Sequence, residues 1–407
     1  MPNETRVVTG GVDTHKDVHV AAVVDERGKI LDAASFSATA AGYENLLSWL
    51  RGFGDVEKVG VEGTGSYGAG LTRHLRSAGV DVVEVNRPNR QLRRRKGKSD
   101  TVDAEAAARA ALCGYASGTP KAADGASEAL RALRVARRSA VKARTQAGNQ
   151  IRDLIVSASE ELRGELGRLN LRGQVAWCAR CRPGASTDPK EATKRSLRLL
   201  ARRHQALSAE VTELDQHIAE VCTEANPALL AADGVGPEVA SALLIAAGDN
   251  PERMRSDATF AALCGVSPVE ASSGKITRHR LNRGGNCDAN NALWRIAMVR
   301  LAHHHPASDA YVQRRRQEGK SDRDILRCLK RYIAREMYHL LINPTDVPHA
   351  ADLRQQRIAA GISLTAAAHH LCTTAMRLSR LERGVLHHAD LATTYQHWLT
   401  TQQPQAA

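Results

Sequence analysis

Residues 7–112 place the tightest constraint on the fold. Val7 to Val12 runs into Asp13, Val18 to Val24 is rich in β-branched residues, and Asp25-Glu26-Arg27-Gly28 makes a turn before Lys29 to Phe36. From there the period changes. Tyr43 to Leu50 carries a helical pattern, and Lys58 to Glu62 reads as a short buried strand running into Gly63-Thr64-Gly65. Ala69 to Arg76 is helical again, and Val80 to Val85 is another strand. A further helix opens at Lys98-Ser99-Asp100-Thr101-Val102-Asp103-Ala104-Glu105, with Ser99 as cap, acids in the first turn and an alanine-rich run behind. The order βββ-α-β-α-β-α predicts an α/β sheet covered on both faces.

That order gives the acids a common destination. Asp13 lies in the first strand, Glu62 at the carboxyl end of the fourth, and Asp100 and Asp103 leave one side of the later helix. With the first and fourth strands as neighbours, these carboxylates gather at one edge of the sheet. Like charges held that close repel unless a cation sits between them, and hard divalent cations prefer oxygen ligands. Four converging acids suit a pair of Mg²⁺ ions about 3.5–4 Å apart, the arrangement for in-line phosphoryl transfer. Each acid also has a plainer role, complementing a helix dipole or standing solvated at a strand end.

The net charge of +13 points to a polyanionic partner. Aromatic residues make up only 3%, so contacts from Arg and Lys to phosphate are expected to outweigh base stacking. The densest basic run, Arg87 to Lys98, precedes the acidic helix; Arg93, Arg94, Arg95, Lys96 and Lys98 would hold a phosphate backbone beside the acids, or form a solvated loop. No apolar run approaches bilayer length and the N-terminus lacks a signal peptide, so a cytoplasmic protein without a membrane partner is expected. The eight cysteines are scattered except for Cys178-x-x-Cys181, which has no second pair to finish a zinc site; reduced thiols are expected.

Residues 121–225 read as a helical arm. Arg131, Arg134, Arg137, Arg138, Lys142 and Arg144 load one helix with positive charge, and Pro183-Gly184-Ala185-Ser186-Thr187 breaks the arm in two. Beyond the break, Leu200, His204, Leu207, Val211, Leu214, Ile218 and Val221 alternate by four and three, a coiled-coil seam that suggests bundle packing or self-association. Near residue 226 the character shifts. Asp233-Gly234-Val235-Gly236-Pro237 resembles the turn of helix-hairpin-helix modules, whose glycines let backbone N–H groups approach a phosphate. Cys264 to Lys275 follows, then Arg278-His279-Arg280-Leu281-Asn282-Arg283-Gly284-Gly285-Asn286. This puts the Ser272-Ser273-Gly274 hydroxyls on a turn within a positive field of Lys275, Arg278, Arg280 and Arg283. By itself Ser273 is an ordinary loop serine, because a hydroxyl without a base or metal is a weak nucleophile and no Ser-His-Asp spacing supports it.

Gly11-Val12-Asp13-Thr14-His15-Lys16, Val61-Glu62-Gly63-Thr64-Gly65-Ser66-Tyr67 and Lys98-Ser99-Asp100-Thr101-Val102-Asp103-Ala104 together resemble the DEDD transposases of insertion sequences, the one-ten family. The resemblance covers roughly residues 8–341. It implies an RNase H-like, RuvC-like catalytic domain over 1–120 in which Asp13, Glu62, Asp100 and Asp103 bind Mg²⁺, two ions being expected. It implies a helical coiled-coil arm over 121–225 and a mostly helical transposase domain over 226–342. There a serine ahead of the glycine pair attacks a DNA phosphate to make a covalent phosphoserine link; matched residue by residue it is Ser273, with Ser272 as the fallback. Many members carry Leu-Arg where this chain has Ala289-Asn290, so no role carries over for that Arg. The family further implies donor and target DNA, a bridge noncoding RNA that pairs with both, and a homo-oligomer, dimer or tetramer.

Past a linker at 342–350, Leu353 to Leu364 and Leu378-Ser379-Arg380-Leu381-Glu382-Arg383-Gly384 resemble the helix-turn-helix of Cro-like repressors. The usual small-residue turn is replaced by His369-His370 and Cys372-Thr373-Thr374, so residues 350–407 are either a DNA-binding module or a degenerate helical tail. The expected fold is α/β plus all-α, and the expected activity is cutting and rejoining DNA. A Holliday-junction resolvase-like nuclease using only the acids and water is one alternative. A non-enzymatic DNA-binding regulator is another.

Overall fold

A computed structural model of the chain describes residues 6–85, 99–274, 278–344, 346–348, 350–384, 386 and 388–402. It divides into two compact units, one of Met1–Gly125 with Ala247–Arg255, the other of Ala126–Ala246 with Ser256–Ala407. The basic run at Arg93, Arg94, Arg95, Lys96 and Lys98, and Lys275, lie outside the described residues.

The first unit is a mixed α/β sheet. Strands β1 (Val7–Thr14), β2 (Val18–Asp25) and β3 (Ile30–Ser37) form the expected meander, and Gly28 takes φ +77° in the turn between β2 and β3. Helix α1 (Ala40–Arg51), capped by the Thr39 hydroxyl, leads to β4 (Asp55–Glu62), which pairs parallel with β1. Helix α2 (Ala69–Ser77) and β5 (Asp81–Val85), parallel to β4, follow, and α3 (Asp100–Leu112) closes the series. The strand order is β3-β2-β1-β4-β5. The first and fourth strands are therefore neighbours as expected, but in the middle of the sheet rather than at its edge. The meander fills one side of β1, so the parallel strands can only add on the other.

The two faces are packed differently. On one, Leu46, Leu47 and Leu50 of α1 and Leu71 and Leu75 of α2 close over Val8, Val12, Val59 and Val61, each buried leucine contributing about 1.5–3 kcal/mol. On the other, α3 rests almost directly on the strands. Its Ala104, Ala107, Ala108 and Ala111 are buried, and Gly11 and Gly60 supply the room. A Cβ at Gly11 would sit 2.0 Å from the Ala108 backbone nitrogen, and one at Gly60 would sit 2.6 Å from the Ala107 carbonyl oxygen.

The second unit is almost wholly helical, with α4 (Ala126–Val156), α5 (Glu160–Leu166), α6 (Leu171–Arg180) and α7 (Pro189–Ala225) forming the arm. The heptad seam of α7 lies on α4 of the same chain. Val211 and Ile218 are buried, while Leu200, His204, Leu207, Leu214 and Val221 are half-buried. Ile151 and Ile155 share a cluster with Leu197 and Ala201, and Arg137 pairs with Asp215 at the opposite end, so the helices run antiparallel. The seam therefore gives no support to self-association, since it is closed within one chain. A heptad pattern specifies an apolar stripe but not whose helix covers it.

Next come α8 (Pro227–Ala231), α9 (Pro237–Ala247), α10 (Asp257–Leu263), a two-stranded hairpin β6 (Val269–Glu270) and β7 (His279–Arg280), then α11 (Cys287–Ala302), α12 (Pro306–Gln317) and α13 (Asp322–Ile342). Helix α13 turns Ile325, Leu329, Ile333, Met337 and Leu341 inward, and Leu340 is only half-buried. Of its five lysines and arginines, Arg323, Arg327 and Arg335 are exposed; Lys330 and Arg331 are half-buried, held by Asn290 and Asp257. The unit is pinned by Arg300, 4% exposed, which donates two hydrogen bonds of 2.7 Å to Glu336 and one of 2.8 Å to the Asp233 carbonyl. The tail forms α14 (Ala350–Ala359), α15 (Leu364–His370), α16 (Ala375–Glu382) and α17 (Ala389–Gln402) around Leu353, Leu378, Leu381, Tyr395 and Leu399. Among the described residues no helix is long and apolar enough to cross a membrane.

Candidate active site

The acidic site stands on the carboxyl ends of β1 and β4. Val12 is paired with Val61, so Asp13 and Glu62 come level one residue further on. Alternation turns Asp13 to the face of Gly11 and Glu62 to the face of Gly60, the face that α3 covers. The Ser99 hydroxyl caps α3 by accepting from the Val102 N–H, which sets Asp100 and Asp103 in its first turn above the strand ends. Asp103 is 3% exposed and Asp13 8%, whereas Asp100 lies at the open rim. The Thr14 hydroxyl donates to the Glu62 carbonyl at 2.8 Å and ties the two strand ends together.

His15 enters this group unannounced. Its Nε2 is 3.2 Å from Asp13 Oδ2 and 3.4 Å from Asp100 Oδ2. Ligand atoms of Asp13, His15 and Asp100 lie within 4.8 Å of one another, a triad able to grip one cation. Asp103 stands behind it, near enough for its charge to be felt at Asp13. Burial pushes the Asp13 carboxyl above the usual carboxylate range and the charges of Asp103 and Asp100 push the same way, while His15 pulls it down. Two buried acids and a third at the rim form an oxygen-rich set that fits a hard divalent ion. Sequence reasoning passed over His15 because a histidine at a strand-to-strand turn has no spacing signature of its own; its place two residues after Asp13 was the available cue.

The second candidate feature is the β6–β7 hairpin. Ser272 spends its hydroxyl on the turn, accepting from the Arg278 N–H at 3.2 Å. Ser273 is exposed, and Gly274 follows in a left-handed conformation at φ +58°. The base of the hairpin depends on close packing of glycines: a Cβ at Gly285 would meet the Gly265 nitrogen at 2.3 Å. Asn286 caps α11, and Asn290 donates to the Cys264 carbonyl at 2.8 Å while accepting from Lys330 at 2.9 Å. Asn290 is thus a structural fastener at the position where the sequence departs from the expected Leu-Arg.

A DEDD-type transposase family model matches residues 10–159, and a model of the IS116/IS110/IS902 transposase family matches residues 226–313. Together they take in more than half of the chain. The chain belongs to the IS110 family of transposases. It is also similar to a probable family 20 transposase of Pseudomonas aeruginosa, 33% identical over 153 residues. That alignment spans 36% of this chain and 43% of the relative, so the chain covers less than half of that protein.

In this IS110-family chain a cleft of about 770 Å³ lies beside β7, between α12 and α13. Arg280, Arg315, Lys320, Arg327, Lys330 and Arg335 line it, against the acids Asp257 and Asp324. Arg280 was expected on sequence grounds; Arg315 and Lys320 were missed, because nothing in the pattern of α12 says which neighbour it faces. Arg283 is exposed nearby in sequence. The positive charge of α4 is used otherwise: Arg131, Arg134, Arg137 and Arg138 pair with Glu128, Glu238, Asp215 and Asp288. At the Cys178-x-x-Cys181 pair, burial pushes the Cys178 thiol up to about 11 and raises Cys181 as well, which holds both as neutral thiols.

Proposed function

We propose that this chain is a DNA transposase that cuts and rejoins strands through a divalent-cation site in its first unit and a serine nucleophile, Ser273, in its second. The observation that carries the reading is the convergence of Asp13, Glu62 and the Asp100/Asp103 turn over β1 and β4, in a chain of a transposase family. The strand order, an antiparallel meander continued by parallel strands, supports an RNase H-like, RuvC-like domain. Asp13, Glu62, Asp100 and Asp103 would hold Mg²⁺, which when bound lowers the charge on a phosphate and on its leaving oxygen.

The chain's own residues do the rest. Asp13 and Asp103, fixed by burial, set the floor of the site, and Asp100 stands at the rim where substrate would enter. His15 bridges Asp13 and Asp100 and orients both carboxylates. The cleft beside β7 supplies cationic side chains to a phosphate backbone. Ser273 Oγ gives up its proton and bonds to phosphorus as one P–O bond of the phosphodiester breaks, and the departing oxygen takes a proton. An incoming hydroxyl reverses the exchange and restores Ser273. The linkage stores the phosphodiester energy, so rejoining needs no nucleotide. Ser273 is favoured over Ser272 because the Ser272 hydroxyl is engaged in closing the turn. Donor and target DNA are the partners; a guiding RNA and a homo-oligomer rest on the family resemblance.

The test is denaturing capture of a protein–DNA adduct in Mg²⁺. Wild type and Ser272→Ala should form it, and Ser273→Ala, which removes the attacking oxygen, should form none; an adduct that survives in Ser273→Ala would retire the assignment. Asp13→Ala should abolish it. Nicking that needs metal but leaves no adduct would favour the resolvase-like nuclease. No cleavage, with Asp13→Ala indistinguishable from wild type, would favour a regulator.

A further inference from the structure

Residues 350–402 lie beyond both matched stretches and have their own core, so their role has to be read from their own surface. Helix α15 and helix α16 are joined by a four-residue turn in which Cys372 takes the left-handed conformation, φ +49°. The Thr374 hydroxyl accepts from the Arg377 N–H and starts α16. Inward, α16 buries Leu378, Leu381 and Glu382. Glu382 is held from two sides: Arg357 of α14 grips it at 2.7 and 3.0 Å, and the Tyr395 hydroxyl of α17 donates to it at 2.7 Å. An ion pair this buried contributes little net stability, but it allows α16 only one rotation about its axis.

The outward side of α16 is made of Met376, 73% exposed, with Arg377 and Arg380, also exposed. Neither guanidinium is paired with an acid among the described residues. This contrasts with Arg131 and Arg138 of α4, exposed arginines that are each matched to a carboxylate. The acid of α16 itself faces inward, so the exposed charge on this helix is of one sign.

We infer that residues 350–402 form a duplex-DNA reader whose helix α16 enters the major groove, with Arg377 and Arg380 meeting guanine edges or phosphates and Met376 meeting thymine methyl groups. A helix of this length fits the major groove, arginine pairs with guanine O6 and N7, and an apolar tip suits a methyl group. Fixing the helix by a buried network is what base reading needs, because a contact that must lie in plane with a base edge tolerates little rotation. The chain then carries a protein-encoded sequence preference of its own, independent of the proposed chemistry and of any pairing by RNA.

The experiment uses the full chain with Asp13→Asn and Ser273→Ala, so that no strand is cut, and a pool of duplexes with a randomised 20-base-pair core. Selection should enrich a short motif, and Arg377→Ala with Arg380→Ala should weaken binding to that motif about tenfold or more relative to a scrambled duplex, without changing the helical circular dichroism. Glu382→Gln, which loosens the clamp and leaves both arginines in place, should also reduce the ratio of motif to scrambled-duplex binding. A pool that yields no motif would overturn the assignment. So would a motif bound equally well by the double-arginine variant, or one displaced equally by single-stranded RNA.

Discussion

Replacing Gly11 by alanine tests how the acids are held. The new Cβ would lie 2.0 Å from the Ala108 nitrogen, 2.3 Å from the Ala104 carbonyl oxygen and 2.6 Å from the Ala108 Cα, all of them backbone atoms. Ordinary contact begins near 3.4 Å, so α3 must retreat by roughly 1.4 Å or the strand must bow away. Overpacking of this kind costs about 1–3 kcal/mol, and the absence of a side chain able to swing aside puts Gly11→Ala at the upper end. Asp100 and Asp103 travel with the helix, while functional constellations tolerate about 0.5 Å. Thermal unfolding should fall on the order of 5–10 °C, and Mn²⁺ binding followed by calorimetry should weaken at least tenfold. Gly164→Ala is the control, since a Cβ there meets nothing within 4 Å and alanine favours its helix. If Gly11→Ala kept wild-type melting and Mn²⁺ affinity, the claim that α3 lies on bare strand backbone would be wrong.

Three further outcomes follow from the same structure. Asp13 has its folded pKa raised, chiefly by burial, so its stabilising contribution is complete while the acid is protonated and is lost as pH rises through the folded value. In chelator, melting should decline as pH rises above the ordinary aspartate range, Asp13→Asn should flatten that decline and raise neutral-pH melting, and a lower melting temperature in the variant would contradict this. Arg300→Ala removes the hydrogen bonds to Glu336 and to the Asp233 carbonyl; because Glu336 is 39% exposed and regains water, the cost in denaturant unfolding should be about 1–3 kcal/mol. Gly285→Ala should disturb the base of the serine hairpin, because its Cβ meets Gly265 backbone at 2.3–2.4 Å; the adduct rate should drop at least tenfold with Mn²⁺ binding in the first unit unchanged.

Much of the first unit was legible because its signals are local. The alternation from Val18, the Gly28 turn, the Ser99 cap and the carboxyl-terminal position of Glu62 each follow from a few neighbouring residues. Strand order is not local, so the gathering of acids was foreseen while its place at mid-sheet was not. Gly11 stood in the motif that marks the family, yet its role as a landing for α3 depends on a helix more than ninety positions away. The α7 seam was read correctly as an apolar stripe, but its partner was open until α4 was seen against it. Arg300 and Glu336 carried no signal, since either residue alone reads as surface charge.

The contact between α3 and the strands has a consequence for anyone wishing to retune the metal preference. Most sites can be widened by trimming a leucine or turning a rotamer beneath the helix that bears the ligands. Here there is no such cushion: the alanines and glycines between helix and sheet leave nothing to trim. Selectivity for a larger or smaller ion has to be engineered in the reach of the acids themselves, for instance by Asp100→Glu at the open rim, and not by adjusting the scaffold that carries them.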